Sequence, residues 1–147
     1  IISGSYDFSL VTQNKKGFVN SILLDDWVVG LMVNNSNAIV CSWNGRLVEL
    51  DYGLSVNKEF QAGLKKSTFF NQQDNFLFIS YNDGSVRKYN IGQRSLIKQY
   101  YLSTIPILGL DVKHDASELI IWTSNGIIVY NSDQIAQMLN HAVMGIF

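Results

Sequence analysis

The fold of this chain is decided by a stretch of sequence that recurs along it, AIVCSWNGRLVELDYG at residues 38–53. An apolar run is followed by a serine, the dipeptide Asn-Gly and an alternating run that ends in Asp. Related stretches are LFISYNDGSVRKYNIG at 77–92, LIIWTSNGIIVYNSD at 119–133 and ISGSYDFSLVTQN at 2–14, where Phe8 takes the place of the turn glycine. The chain therefore contains four copies of one structural unit.

The turn glycines set the period of this repeat. Gly45, Gly84 and Gly126 lie about 40 residues apart, close to the length of a four-stranded propeller blade. The Asn-Gly and Asp-Gly dipeptides predict β-hairpins with type I′ turns, and the apolar runs predict strands covered on both faces. We therefore expect an all-β fold, a β-propeller of four-stranded antiparallel blades, with about three and a half blades present.

The repeats divide into strands and blades. Predicted strands are 28–33, 38–43, 46–51 and 55–61 in the second repeat, 68–72, 75–81, 85–90 and 95–102 in the third, and 107–113, 118–123 and 127–131 in the fourth. Residues 1–131 are assigned to the propeller, as a partial blade 1–26, a blade 27–63, a blade 64–104 and a partial blade 105–131. The first repeat lacks its first strand, and the fourth lacks its last.

The repeats resemble the WD40 family of β-propellers. Ser3-Gly4-Ser5-Tyr6-Asp7 is similar to the family's S-G-S-x-D stretch between the second and third strands of a blade. The Trp-Asp pair that names the family is missing, since Leu50-Asp51 and Tyr89-Asn90 stand in its place, and so is the family's Gly-His pair. The resemblance implies divergent WD40-like blades held together by apolar packing; a propeller of another repeat family is the alternative.

The incomplete blades have a consequence for the whole assembly. Fewer than four complete blades do not close a ring, and open strand edges invite aggregation. We therefore expect the remaining blades to come from the same longer protein or from a partner chain. Residues 132–147 have helical spacing, with Ser132 as a possible N-cap, and predict a short C-terminal helix that covers the propeller edge or begins an α-solenoid.

The composition does not indicate an enzyme. The net charge is −1, from 11 basic and 12 acidic residues, so direct binding of nucleic acid is not expected. The single cysteine, Cys41, is interpreted as a small core side chain, and two histidines form no cluster that could hold a metal. No P-loop is present, and apolar runs are too short for membrane insertion. We expect no catalytic residues, no cofactor and no metal.

These observations favour a non-catalytic propeller that acts as a protein–protein interaction scaffold or adaptor in a larger intracellular complex, cytoplasmic or nuclear. The partners are expected to be other protein subunits. Alternatives are a propeller–solenoid scaffold of the vesicle-coat or nuclear-pore type and an enzymatic or ligand-binding propeller with a central-channel site. Trp27, Trp43 and Trp122 are interpreted as core residues, with Trp43 alternatively a surface anchor. The candidate partner-binding loop residues are Asn44, Arg46, Asn82, Asp83, Arg94, His114 and Asn125.

Overall fold

The described part of the chain is all-β. The computed structural model describes residues 1–33, 37–60, 65–113 and 117–131. The chain divides into two compact units, Ile1–Phe70 and Asn71–Phe147. The strands form four antiparallel sheets of three or four strands each, and no helix occurs in the described ranges. The fold class predicted from the repeats is therefore confirmed, whereas the predicted C-terminal helix at 132–147 lies outside the described residues.

The first unit contains two sheets. The three-stranded sheet has the order β1-β2-β3, and the four-stranded sheet has the order β4-β5-β6-β7. The strands are β1 (Ile2–Gly4), β2 (Ser9–Gln13), β3 (Val19–Leu23), β4 (Val28–Val33), β5 (Asn37–Ser42), β6 (Leu47–Asp51) and β7 (Val56–Phe60). Side chains of both sheets meet in one core, which contains Leu10, Val40, Val48, Leu50 and Leu54. Apolar burial thus joins the two small sheets of this unit.

The second unit also contains two sheets, of which the first begins in a strand that crosses the boundary between the units. Their orders are β11-β10-β9-β8 and β12-β13-β14. The strands are β8 (Ser67–Gln73), β9 (Phe76–Tyr81), β10 (Ser85–Asn90), β11 (Ser95–Tyr101), β12 (Gly109–Val112), β13 (Glu118–Thr123) and β14 (Gly126–Asn131). The core of this unit includes Phe78, Val86, Leu110, Leu119 and Ile121.

The apolar runs behave as predicted in two of the sheets. Residues 38–42 of β5 and 77–81 of β9 are buried on both faces, as continuous apolar runs in a central strand require. In β13 the burial is incomplete, and Trp122 is 37% exposed, so its interpretation as a core residue is wrong. The second strand of a repeat is thus a two-sided core element in the second and third repeats and a partly open one in the fourth.

The glycine dipeptides do join adjacent antiparallel strands, but the predicted type I′ turns are wrong. Type I′ requires positive φ at both central residues, and neither Asn44 nor Asp83 has positive φ. Instead Gly45 (φ 83°) and Gly84 (φ 80°) follow the turn, and their N–H groups donate to the carbonyls three residues earlier. This is a three-residue loop, a type I turn closed by a left-handed glycine.

Side chains complete these turns. The Oδ1 atom of Asn44 accepts hydrogen bonds from the Arg46 N–H (3.1 Å) and from the Ser42 hydroxyl (2.7 Å). The first repeat uses the same arrangement with Asp7 as the acceptor and Phe8 (φ 69°) in the left-handed position. The four repeats therefore keep a hairpin at this place, and the first keeps it without glycine.

Candidate functional site

An exposed cluster of aromatic side chains stands on the turns of the first unit. Tyr6 lies in the turn between β1 and β2, Trp43 lies in the turn between β5 and β6, and Trp27 precedes β4. The ring centroids of Tyr6 and Trp27 are 5.7 Å apart at an interplanar angle of 81°. Those of Trp27 and Trp43 are 5.8 Å apart and tilted by 47°. We call these three residues the aromatic ridge.

The backbone fixes the ridge in place. The Trp43 N–H donates to the Trp27 carbonyl at 2.7 Å, which holds the two tryptophans at the start of β4. Gly4 allows β1 to pass close to that strand, since a Cβ on Gly4 would lie 2.6 Å from Cγ1 of Val28. Because Tyr6 follows β1 directly, this close approach brings its ring onto Trp27.

The ridge is accessible to solvent. Tyr6 is 76% exposed and Trp27 is 40% exposed, so the interpretation of Trp27 as a core residue is wrong. A groove of about 330 Å³ runs beside the ridge and is lined by Tyr6, Trp27 and Trp43 together with Ser5, Val28, Thr68 and Phe69. Contiguous aromatic surface of this kind is typical of binding sites on proteins.

An ion network stands next to the ridge. The Arg46 guanidinium contacts Asp25 at 2.9 Å, and it forms two bonds to Glu59, from Nε at 2.5 Å and from Nη2 at 2.7 Å. The hydrogen bond from Arg46 lowers the pKa of the Glu59 carboxyl, and the same bond raises the pKa of Arg46. Asn44 donates to Asp25 at 3.4 Å. Two of the sequence-predicted residues, Asn44 and Arg46, therefore meet at Asp25.

One end of the ridge already contacts a cation. The Lys66 ammonium lies 5.7 Å from the centroid of the Trp43 ring. The position is set by the backbone, because the N–H of the next residue, Ser67, donates to the Trp43 carbonyl at 2.8 Å. The electron-rich face of Trp43 thus has an internal ammonium partner.

The other described candidate residues lie in turns of the second unit. Asp83 and Asn82 lie between β9 and β10, where Oδ1 of Asp83 accepts from the N–H and the hydroxyl of Ser85. Asn125 lies between β13 and β14, and its N–H donates to the Thr123 hydroxyl. Arg94 (φ 53°) precedes β11, at the opposite end of β10 from Asp83. His114 lies outside the described residues. The hydrogen bonds of Asp83 and Asn125 build the turns.

Part of this site was predictable from the sequence. The Trp43 side chain stands out as a surface anchor because it is next to a predicted turn. Tyr6 and Trp27 are flanked by Asp7 and Asp26, and an aromatic residue beside an acid in a loop could have suggested exposure. Nothing in the sequence brings these two rings together, because their contact depends on how β1 approaches β4.

Cys41 and a second groove were the remaining places for reactive side chains in the described part of the chain. Cys41 is fully buried, and burial raises the pKa of its thiol to about 12, so its reactive thiolate is scarce at neutral pH. Its interpretation as a core side chain is confirmed. A second groove, of about 460 Å³ near Asn14 and Phe18, contains no carboxylate, histidine or cysteine side chain among its described lining residues. Within the described ranges, no group of three metal-ligating side chains occurs.

Solved structures show which fold this is. The WD40 β-propeller domain of Doa1 superposes with a TM-score of 0.76 at 17% identity, over 92% of this chain and 48% of that domain. The chain has the fold of WD40-like propeller blades. Two computationally designed proteins, Ika8 and Ika4, each superpose with a TM-score of 0.74 at 13% identity over 88% of this chain.

These similarities concern the fold alone. The chain spans 42% of Ika8 and 83% of Ika4, and it spans about half of the Doa1 domain. No family model matches the sequence, and no curated protein matches it. No helix among the described residues is long and apolar enough to cross a bilayer. Since one propeller fold carries many unrelated activities, the function of these WD40-like blades has to be argued from their surface.

Proposed function

We propose that this chain is a non-catalytic, WD40-like propeller part that serves as a protein–protein interaction scaffold or adaptor in a larger intracellular complex. The observation that carries the proposal is the aromatic ridge, in which Trp27 contacts both Tyr6 and Trp43, and in which Tyr6 and Trp27 are exposed. Trp and Tyr dominate the binding energy of protein interfaces because they bury a large area with few rotatable bonds.

The surroundings of the ridge support the same function. The ion network around Arg46 ties the β5–β6 turn to the segment before β4 through Asp25, and to β7 through Glu59. A surface held in this way loses little conformational entropy when a partner binds. Further contact positions are proposed at the turn residues Asn82, Asp83, Arg94 and Asn125, because loops vary without disturbing the strands, and at His114, which the sequence predicts to lie in a turn.

Quantitative affinity purification tests this proposal. We expect the tagged protein to capture a defined set of protein subunits. In a Tyr6→Ala/Trp27→Ala double variant, the captured amount of these subunits should fall at least about tenfold. The matched control is Tyr101→Ala, which truncates another exposed aromatic residue, on β11, and should capture the same set as the wild type. Circular dichroism should show that both variants keep the strand signal of the wild type.

Two outcomes would contradict the proposal. One is capture that is equal for the wild type and a folded double variant, since the ridge would then make no contact. The other is a turnover activity of the purified chain that depends on a described side chain, since the chain would then be an enzyme.

A further inference from the structure

The two exposed rings of the ridge each have a carboxylate neighbour in the sequence. Asp7 follows Tyr6, and Asp26 precedes Trp27. In both acids, Oδ1 accepts a backbone hydrogen bond: that of Asp7 from the Ser9 N–H at 2.9 Å, and that of Asp26 from the Trp27 N–H at 2.8 Å. These bonds fix both carboxylates.

The ridge is therefore polarised along its length. At the Trp43 end, Lys66 already lies over the ring, and Arg46 is engaged by Asp25 and Glu59. At the Tyr6–Trp27 end, each ring has an aspartate as its neighbour in the sequence, Asp7 after Tyr6 and Asp26 before Trp27. Hydrogen bonds from Ser9 lower the pKa of the Asp7 carboxyl, so this anion is fully charged at neutral pH. The end opposite Lys66 is complementary to positive charge.

The ring geometry selects the kind of cation. An aromatic cage for a methylated ammonium needs a gap between its walls, but the centroids here are 5.7 and 5.8 Å apart, which is direct ring contact. A planar guanidinium needs only one open ring face, and its remaining N–H groups can form a fork with a neighbouring carboxylate. The Tyr6–Trp27 end provides open aromatic surface, and Asp7 and Asp26 provide the acceptors.

We propose that the Tyr6–Trp27 end of the aromatic ridge binds an arginine side chain in an extended basic segment of a protein partner. The guanidinium stacks on an exposed ring and donates to the carboxylate of Asp7 or Asp26. The adjacent groove, with Val28 and Phe69 in its lining, receives the apolar part of the segment. This inference rests on the proposed function, because it names the chemistry of the partner at the same surface.

Peptide binding tests the inference directly. Fluorescein-labelled Gly/Ser peptides that contain two arginines are titrated with the whole protein and followed by fluorescence anisotropy, next to matched peptides with two lysines. We expect the arginine peptide to bind at least about tenfold more tightly than the lysine peptide. A labelled proline-rich peptide without basic residues serves as a third probe, because aromatic grooves also bind polyproline segments.

Variants assign the binding to the ridge. Trp27→Ala should lower the affinity for the arginine peptide at least about tenfold, and Tyr101→Ala should leave that affinity unchanged. Asp26→Asn keeps an acceptor for the Trp27 N–H and removes only the charge, so it should weaken binding about three- to fivefold without unfolding the protein. This second variant keeps the test valid if Trp27→Ala fails to fold.

Three results would overturn the inference. They are equal affinity for the arginine and lysine peptides, unchanged affinity in both Asp26→Asn and a folded Trp27→Ala, and tighter binding of the proline-rich peptide. If protein partners are nevertheless lost from the Tyr6→Ala/Trp27→Ala variant, the scaffold function stands and only the arginine specificity fails. If the arginine peptide binds but no partner depends on the ridge, the scaffold function is the claim that fails.

Discussion

The same turn closes a hairpin at the start of the chain and in its second unit, but its two copies tolerate different residues. In the turn Ser5–Ser9 the left-handed position holds Phe8, which is 40% exposed. In the turn Tyr81–Ser85 it holds Gly84, where an added Cβ would lie 1.9 Å from the carbonyl oxygen of Ser103. In both turns, the backbone carbonyl of the left-handed residue accepts a hydrogen bond from the N–H of the residue that follows the last strand of the sheet. Phe8 accepts from Leu24, and Gly84 accepts from Leu102.

This difference shows what glycine does in the repeat. The hydrogen bonds of the turn do not need it, since an Asx acceptor and a left-handed residue suffice, at a cost of about 1–2 kcal/mol for a residue with a Cβ. Glycine becomes necessary where the returning main chain occupies the space that a Cβ would need, as the Ser103 carbonyl does at Gly84. The first turn can therefore hold a large side chain, Phe8, at the left-handed position.

The largest expected effect is that of Gly84→Ala. The left-handed conformation and the contact with the Ser103 carbonyl should together lower the free energy of unfolding by about 3–4 kcal/mol. Gly17→Ala is the matched control, because Gly17 has φ 83° and nothing within 4 Å of an added Cβ. It should cost only about 1 kcal/mol. Urea denaturation measures both, and equal losses would refute the contact with the main chain as the cause.

A smaller effect is expected at the equivalent position of the first turn. Replacing Phe8 by Ala or by Gly removes the same ring, so the difference between the two variants isolates the backbone conformation. We expect Phe8→Gly to be more stable than Phe8→Ala by about 1 kcal/mol, the reverse of the usual order inside a strand. If the alanine variant is the more stable in thermal unfolding, residue 8 does not adopt positive φ.

The smallest effect concerns how the turn of the ridge is held. The bonds from Arg46 lower the pKa of Glu59 below its ordinary value of 4.5, so their contribution to stability is present above that pH and is lost as the pH falls through the folded-state pKa. Glu59→Gln should therefore lower the free energy of unfolding at pH 7 by only a few tenths of a kcal/mol, because the pair is exposed, and the melting temperature should fall slightly.

The pH series provides the control for this prediction. The difference in melting temperature between the wild type and Glu59→Gln should shrink towards zero as the pH falls through the lowered folded-state pKa of Glu59, because the carboxylate is then protonated in the folded state as well. A difference that stays constant down to pH 3 would show that the ion pair does not hold this turn.

The strands were largely predictable because alternation, apolar runs and turn residues are local properties. β4 (Val28–Val33), β10 (Ser85–Asn90) and β13 (Glu118–Thr123) have the predicted bounds. The turn type was not predictable, since Asn-Gly suits a type I′ turn and also a type I turn followed by a left-handed glycine. Which one forms depends on whether the loop contains two or three residues, and this depends on the strand register.

The candidate site was predicted only in part. Asn44 and Arg46 do meet at Asp25 beside the ridge, but the remaining described candidates lie in turns of the second unit. The contact between Tyr6 and Trp27 was missed because the spacing of the repeats does not indicate which side chains of different repeats touch. The exposure of Trp27 was also missed, since a tryptophan next to an apolar strand is usually buried.

The sequence alone determined that this chain forms antiparallel hairpins with a blade-length repeat, because backbone conformation at turns and two-sided burial of strands leave local patterns. Only the tertiary structure decided which turn residues need to be glycine and which aromatic rings remain at the surface. Both depend on the distance between segments far apart in the chain, such as Gly84 from Ser103 and Tyr6 from Trp27. Such distances are set by packing rather than by neighbouring residues.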